Sequence, residues 1–290
     1  MQLLANYLTL AALYALIACG YVLVYRVSRV LTLAHGEVMM VGAYLLLTMG
    51  TLFHLPPLPA FIAALLMSLV VGLAIYWMVM RRMAGETVFA AVLVTIALGI
   101  LLRGAMALVW TPRLQYPAEA IAMENPSVAL GGSVAVSQAS LLIIASAVLV
   151  YGGLFLFFRH TTWGVRMRAV GENPRLAAQR GIAPHGPLAL AWGIAALTGG
   201  LAGMLLSIDT GIDEAMAIIG LKTFPVVLVG GLDSLSGAII GALVVAGAEI
   251  LAIYYVDPLV ADVAPFLVLL AILMVRPWGL FGTREELDRV

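Results

Sequence analysis

Two charged residues sit inside apolar runs long enough to cross a bilayer: Arg103, in a run near 88–110, and Glu249, in a run near 236–256. A charge at that depth costs several kcal/mol unless it is paired or hydrated, and such residues typically face the interior of a helix bundle. Both fall in the same half of the membrane on the map below, so the two can meet. The meeting would be a structural ion pair that locks two helices together, or a contact for a zwitterionic solute. Thr95 adds a hydroxyl to the run that holds Arg103. His35 and Glu37 open a further run and are expected at its inner boundary, where headgroup-level solvation is the plain reading and gating the sharper one. These five are the candidate polar residues of the membrane interior and pathway.

Enzymatic chemistry is tested by its absent motifs. A nucleotide-binding P-loop requires Gly-Lys-Ser/Thr, and the one lysine, Lys222, follows Leu221. His35 is followed by Gly36 and Glu37, so no His-Glu-x-x-His metal motif forms, and no Gly-x-Ser-x-Gly nucleophile elbow occurs. No catalytic residue, metal ligand or cofactor site is expected. The single cysteine, Cys19, cannot form an internal disulfide and reads as a small core residue.

The elements that must position these residues follow from composition. Hydrophobic residues make up 63% of the 290 and charged residues 10%, with mean hydropathy +1.10, whereas soluble domains carry roughly 25% charged residues. Apolar runs recur near 3–25, 36–53, 59–80, 88–110, 138–158, 188–208, 216–232, 236–256 and 260–275, and about 20 residues suffice for a crossing helix. The expected fold is all-α, a polytopic bundle of about eight or nine spanning helices forming one membrane domain over 1–290. Arg26, Arg29, Arg81, Arg82, Arg159, Arg166, Arg168, Arg175, Arg180, Arg276, Arg284 and Arg289 fall on one side of this map. Glu119, Glu124, Asp209, Asp213, Glu214, Asp257 and Asp262 fall on the other, where Arg113 and, at its margin, Lys222 are the basic residues. The positive-inside rule makes the arginine side cytoplasmic, with the N-terminus outside, the C-terminus inside, a cytoplasmic loop at 159–187 and an outer loop at 111–137.

Within the inner loop, Gly171 to Ile182 reads as a short helix with a stop at each end. Asn173 suits the N-cap, Pro174 the first helical position and Gly181 the left-handed residue past the end. Leu176, Ala177 and Arg180 are expected to share one face, with Arg175 and Gln179 together on a neighbouring one. A helix this short is marginal alone and needs a partner surface; the alternative is a loop helix lying on lipid headgroups. In the outer loop, Ser127 to Val136 carries a Gly131-Gly132 pair between two β-prone runs and suggests a hairpin that packs on the membrane domain or a visiting protein. The stretch 208–236 is punctuated by Gly211, Gly220, Pro225, Gly230 and Gly231 and reads as pathway lining, since broken backbone at membrane depth requires protein or a watery cavity around it. Gly199 with Gly203, and Gly237 with Gly241, have the spacing that lets helix backbones approach closely.

Four stretches together resemble the inner-membrane permeases of branched-chain amino acid ABC importers, in particular the H-type subunit of the Liv system. They are Tyr14 to Tyr44 with its core Leu31-Thr32-Leu33-Ala34-His35-Gly36-Glu37; Ala169 to Ile182; Leu221 to Glu249 with Val229-Gly230-Gly231; and Arg276-Pro277-Trp278-Gly279-Leu280-Phe281-Gly282. Thr32 stands where the family usually has Asn, and Asp233 where it usually has Gly. The resemblance implies a multi-pass subunit of the bacterial inner membrane. It would work with a second permease subunit (a homologous M-type chain or a second copy), two cytosolic ATPase subunits that use ATP, and a periplasmic solute-binding protein; no nucleic acid is implied. Within that machine Glu172, Asn173, Pro174, Arg175, Leu176, Ala177, Gln179, Arg180 and Gly181 would form the coupling helix seated in an ATPase subunit. The alternative from another class is a secondary transporter or channel driven by an ion gradient.

Overall fold

The computed structural model describes residues 1–83, 85–129, 135–213 and 215–282. In hydrocarbon every backbone N–H and C=O must be satisfied within its own segment, and each apolar run is a helix. In chain order the elements are α1 (Gln2–Ser28), α2 (His35–Thr51), α3 (Pro57–Met78), α4 (Val88–Trp110), α5 (Pro117–Ala120), β1 (Ser127–Ala129), β2 (Ala135–Ser137), α6 (Gln138–His160), α7 (Thr162–Glu172), α8 (Pro174–Gln179), α9 (His185–Thr210), α10 (Ala215–Gly230), α11 (Leu235–Tyr255), α12 (Pro258–Ala261) and α13 (Ala264–Val275). Among the described residues, six helices are long and apolar enough to cross a membrane: α1, α3 with the turn after it, α4, α6, α9 and α11. α2, α10 and α13 hold 17, 16 and 12 residues. At 1.5 Å per residue the last is about 18 Å long, less than a ~30 Å hydrocarbon core. The chain is a multi-pass, all-α membrane protein.

Sequence chemistry sets the helix ends. Pro57 occupies the first turn of α3 after the His54–Pro56 bend, and side-chain oxygens of Thr87, Ser137, Thr161 and Ser234 accept the free N–H groups that open α4, α6, α7 and α11. The axis of the bundle is α9, which packs on α1, α2 and α3; α1 also packs on α11 and α6, and α10 bridges α2 and α11. α1 and α9 are buried over most of their length, whereas α3, α4 and α6 bury one face and turn the other outward.

The two ends of the bundle differ in charge. At one end Arg26, Arg29, Arg159 and Arg168 surround a cleft of about 910 Å³ that also touches Glu172 and Asp233. At the other, β1 and β2 pair antiparallel with Val128 opposite Val136. The Gln2 side chain bonds the Ala135 backbone there, and Asp209 accepts from Asn125 and Ser137. The hairpin packs on the membrane domain; the Gly131-Gly132 pair, like Glu214, Arg284 and Arg289, lies outside the described residues. α7 was not foreseen. Its signal was there in the Thr161 cap and in Gly164, Met167 and Val170, which are buried at helical spacing.

Candidate functional site

Arg103 and Glu249 do not meet. Arg103 Nη2 donates to Glu37 Oε1 at 2.6 Å, while Glu249 accepts from the Tyr14 hydroxyl at 2.5 Å and from Lys222 Nζ at 3.2 Å. The reason is helix order: α4 packs on α2, whereas α11 packs on α1, α10 and α13. Lys222 also reaches Asp262 Oδ1 at 2.5 Å, so one lysine ties α10 to α11 and to the turn after α12. Tyr14 and Lys222 were not singled out as site residues, although a lone lysine in an apolar stretch was itself a signal that a buried carboxylate stood nearby.

Glu37, expected at the inner end of its run, lies beside the middle of α4. After α1 ends, Arg29 adopts a left-handed conformation (φ 54°) and the chain runs back into the bundle without helix to His35. Thr32 and Ala34 are buried on the way, and the Leu33 N–H is satisfied by the Thr95 hydroxyl at 3.1 Å, which in turn donates to the Val92 carbonyl. α2 therefore begins beside the middle of α4 and of α9. The Glu37 carboxylate lies against Gly99, in the middle of α4, where a Cβ would fall 3.2 Å from Oε2.

His35 and Thr95 are core residues, 2% and 0% exposed. The His35 ring fills the space left by Gly20 and Gly199 and lies 4.6 Å from the Tyr21 ring, with Nε2 unpartnered. Gly203 meets the Met39 carbonyl, Gly237 the Gly230 carbonyl and Gly241 the Val226 carbonyl, each so closely that a Cβ would come within 2.3 Å. The four glycines thus lie at the α9–α2 and α11–α10 contacts. Val229-Gly230-Gly231 also receives the C-terminal motif: Leu280 N–H donates to Val229 and Phe281 N–H to Gly230, with Gly231 at φ 111° and Gly279 at φ 78° making the approach possible.

The short helix is α8. Asn173 Oδ1 accepts from the Leu176 N–H at 3.0 Å, Pro174 opens the first turn, and the chain leaves through Gly181 at φ 82° with Ile182 N–H on the Ala177 carbonyl. Leu176, Ala177 and Arg180 do not share one environment. Ala177 is 5% exposed and packs in a cluster with Val27, Met167 and Val170, whereas Leu176 is 57% exposed. Glu172, Asn173, Pro174, Arg175, Gln179 and Arg180 are exposed too. Six residues in two turns cannot place i and i+1 side chains on the same face, so Ala177 anchors the helix and Leu176 points away from the bundle.

Residues 3–275 match the family model described as branched-chain amino acid transport system / permease component. The chain is 30% identical over its whole length to the high-affinity branched-chain amino acid transport system permease protein BraD of Pseudomonas aeruginosa, covering 98% of that protein. It is 29% identical, again over its whole length, to the permease protein LivH of Escherichia coli K12, covering 97% of it. It is 28% identical over 93% of its length to the probable branched-chain amino acid transport permease protein LivH of Methanocaldococcus jannaschii, covering 89% of that protein. No solved structure matches it significantly. A match across 3–275, on a bundle with a capped surface helix and charges held at membrane depth, places this chain in the family of permease components of branched-chain amino acid transport systems.

Proposed function

We propose that the chain is the transmembrane permease subunit of an ABC importer, taking branched-chain amino acids or related small polar solutes such as amides and urea from a periplasmic binding protein. It works in the bacterial inner membrane with its arginine end in the cytosol, beside a second permease subunit and above two ATPase subunits that hydrolyse ATP. The observation that carries the reading is α8. A two-turn helix held to an apolar bundle by one buried alanine, with Leu176 left 57% exposed among arginines, is an incomplete interface, because a helix of that length needs a partner surface. Closure of the ATPase dimer would move α8, and α7 would pass that motion to α1, against whose Arg26 carbonyl Gly171 is packed without room for a Cβ.

The test is reconstitution. Vesicles holding the permease subunits alone should show no solute flux. Addition of the ATPase subunits, the binding protein and ATP should produce it, with solute-stimulated ATP hydrolysis. Uptake by the permease alone under an ion gradient would replace this reading with a secondary transporter.

A further inference from the structure

The two membrane-depth charge clusters differ in exposure. In the Lys222–Glu249 pair the side chains are 11% and 8% exposed, as befits a lock between helices; in the Arg103–Glu37 pair they are 49% and 12% exposed. Arg103 thus has half of its side chain uncovered in the second half of α4, on a face where lipid would otherwise lie. A charged side chain on a membrane-spanning helix is costly to leave facing lipid. That face is concave: a cleft of about 410 Å³ is lined by Leu33, Glu37, Ile96, Ile100, Arg103 and Leu221. A small hollow of about 10 Å³ also touches Arg103, beside Tyr44 and Asp213. The irregular segment 29–34 runs from the basic end into the bundle and reaches this cleft at Leu33, a geometry tolerated only where protein or water surrounds it.

We infer that the cleft between α2, α4 and α10 is this chain's share of the solute pathway, where Arg103 takes the carboxylate and Glu37 the ammonium of a zwitterionic solute. This rests on the importer reading above. A guanidinium presents a fork that fits a carboxylate, a carboxylate accepts from an ammonium, and Leu33, Ile96 and Ile100 offer an apolar wall to an aliphatic side chain. The two residues neutralise each other at 2.6 Å. With solute bound, each exchanges its partner for the solute's opposite charge. The site is neutral in both states, so passage never leaves an uncompensated charge at depth.

The test uses the assembled complex in lipid nanodiscs, in a Cys19→Ala background, with cysteines introduced one at a time at Ile100, 69% exposed on the cleft face, and at Leu66 and Leu149, 58% and 73% exposed on the outer faces of α3 and α6. A water-soluble cationic methanethiosulfonate should modify I100C at least tenfold faster than L66C or L149C. Leucine should slow the I100C reaction severalfold, while 4-methylpentanoate, lacking the amine, and isoamylamine, lacking the carboxylate, should not. Arg103→Gln should keep the fast reaction and abolish leucine protection, and Arg103→Lys should restore part of it. A reaction at Ile100 as slow as at the two outward positions means lipid or a dry subunit contact covers this face, and overturns the proposal. So does a fast reaction that leucine leaves unchanged, or that the truncated analogues slow equally. Leucine-stimulated ATP hydrolysis, measured on the same samples, separates the two readings. If it persists while the labelling fails, the pathway assignment falls and the importer stands; if it is absent as well, the importer reading falls first.

Discussion

Lys222 illustrates how a single residue makes an expensive arrangement tolerable. Its ammonium touches two carboxylates, and Glu249 has the Tyr14 hydroxyl as a further donor, so charge and hydrogen-bonding capacity are both used inside the bundle. Breaking a buried pair leaves one charge uncompensated, at about 3–5 kcal/mol, whereas losing one hydrogen bond to a charged group costs about 1.5–3 kcal/mol. Lys222→Met should therefore lower the thermal midpoint of the purified subunit more than Tyr14→Phe. Asp262→Asn should cost less than about 1 kcal/mol, because the Asp262 side chain is 70% exposed. The Lys222→Met/Glu249→Gln double variant should be less destabilised than the sum of the singles; strict additivity would deny the contact. The cost of Arg103 and Glu249 was legible in the sequence because apolar context is local. Their partners were not. Glu37 lies 66 residues from Arg103 and Tyr14 lies 235 from Glu249, and which helix faces which is decided by packing that no short window contains.

Helices fared differently from the segments that interrupt them. The apolar runs gave every long helix to within a few residues, since a membrane leaves the backbone no alternative, and the caps of α8 followed from Asn173, Pro174 and Gly181. The return of 29–34 into the bundle was missed because its residues look like an ordinary inner loop; what holds it is a hydrogen bond from a distant helix, Leu33 to Thr95. The position of Ala177 was missed for a related reason: an alanine carries no directional signal, and only the cluster around Met167 and Val170 shows where it points. That position separates two variants. Leu176→Asp places a charge on the outward face, so the bundle should keep its thermal midpoint while co-purification with ATPase subunits, or solute-stimulated ATP hydrolysis, is lost. Ala177→Asp buries an unpaired carboxylate and should lower the midpoint of the subunit itself by the equivalent of several kcal/mol. Asn173→Ala removes a cap worth about 1 kcal/mol and should weaken coupling only in part. Normal ATPase assembly and coupling in Leu176→Asp would return α8 to a headgroup-bound loop helix.

At the scale of the molecule, the bundle is polarised. Arg26, Arg29, Arg159 and Arg168 converge at one end although they come from α1, the turn after it, α6 and α7. Asp209, Glu119 and the hairpin occupy the other, where Gly50 at the end of α2 packs against the Ala120 carbonyl of α5. Arginines resist translocation far more than carboxylates do, so the basic end should be cytoplasmic. Single cysteines in place of Glu119 and Arg175, both exposed, test this in a Cys19→Ala background. Cys19 is fully buried, and its replacement by a residue of similar size should leave the core filled. A membrane-impermeant maleimide added to intact spheroplasts should label the Glu119→Cys variant at once and the Arg175→Cys variant only after permeabilisation. The converse pattern would put α8 on the outer side, away from ATP, and would remove both the orientation and the coupling role with a single measurement.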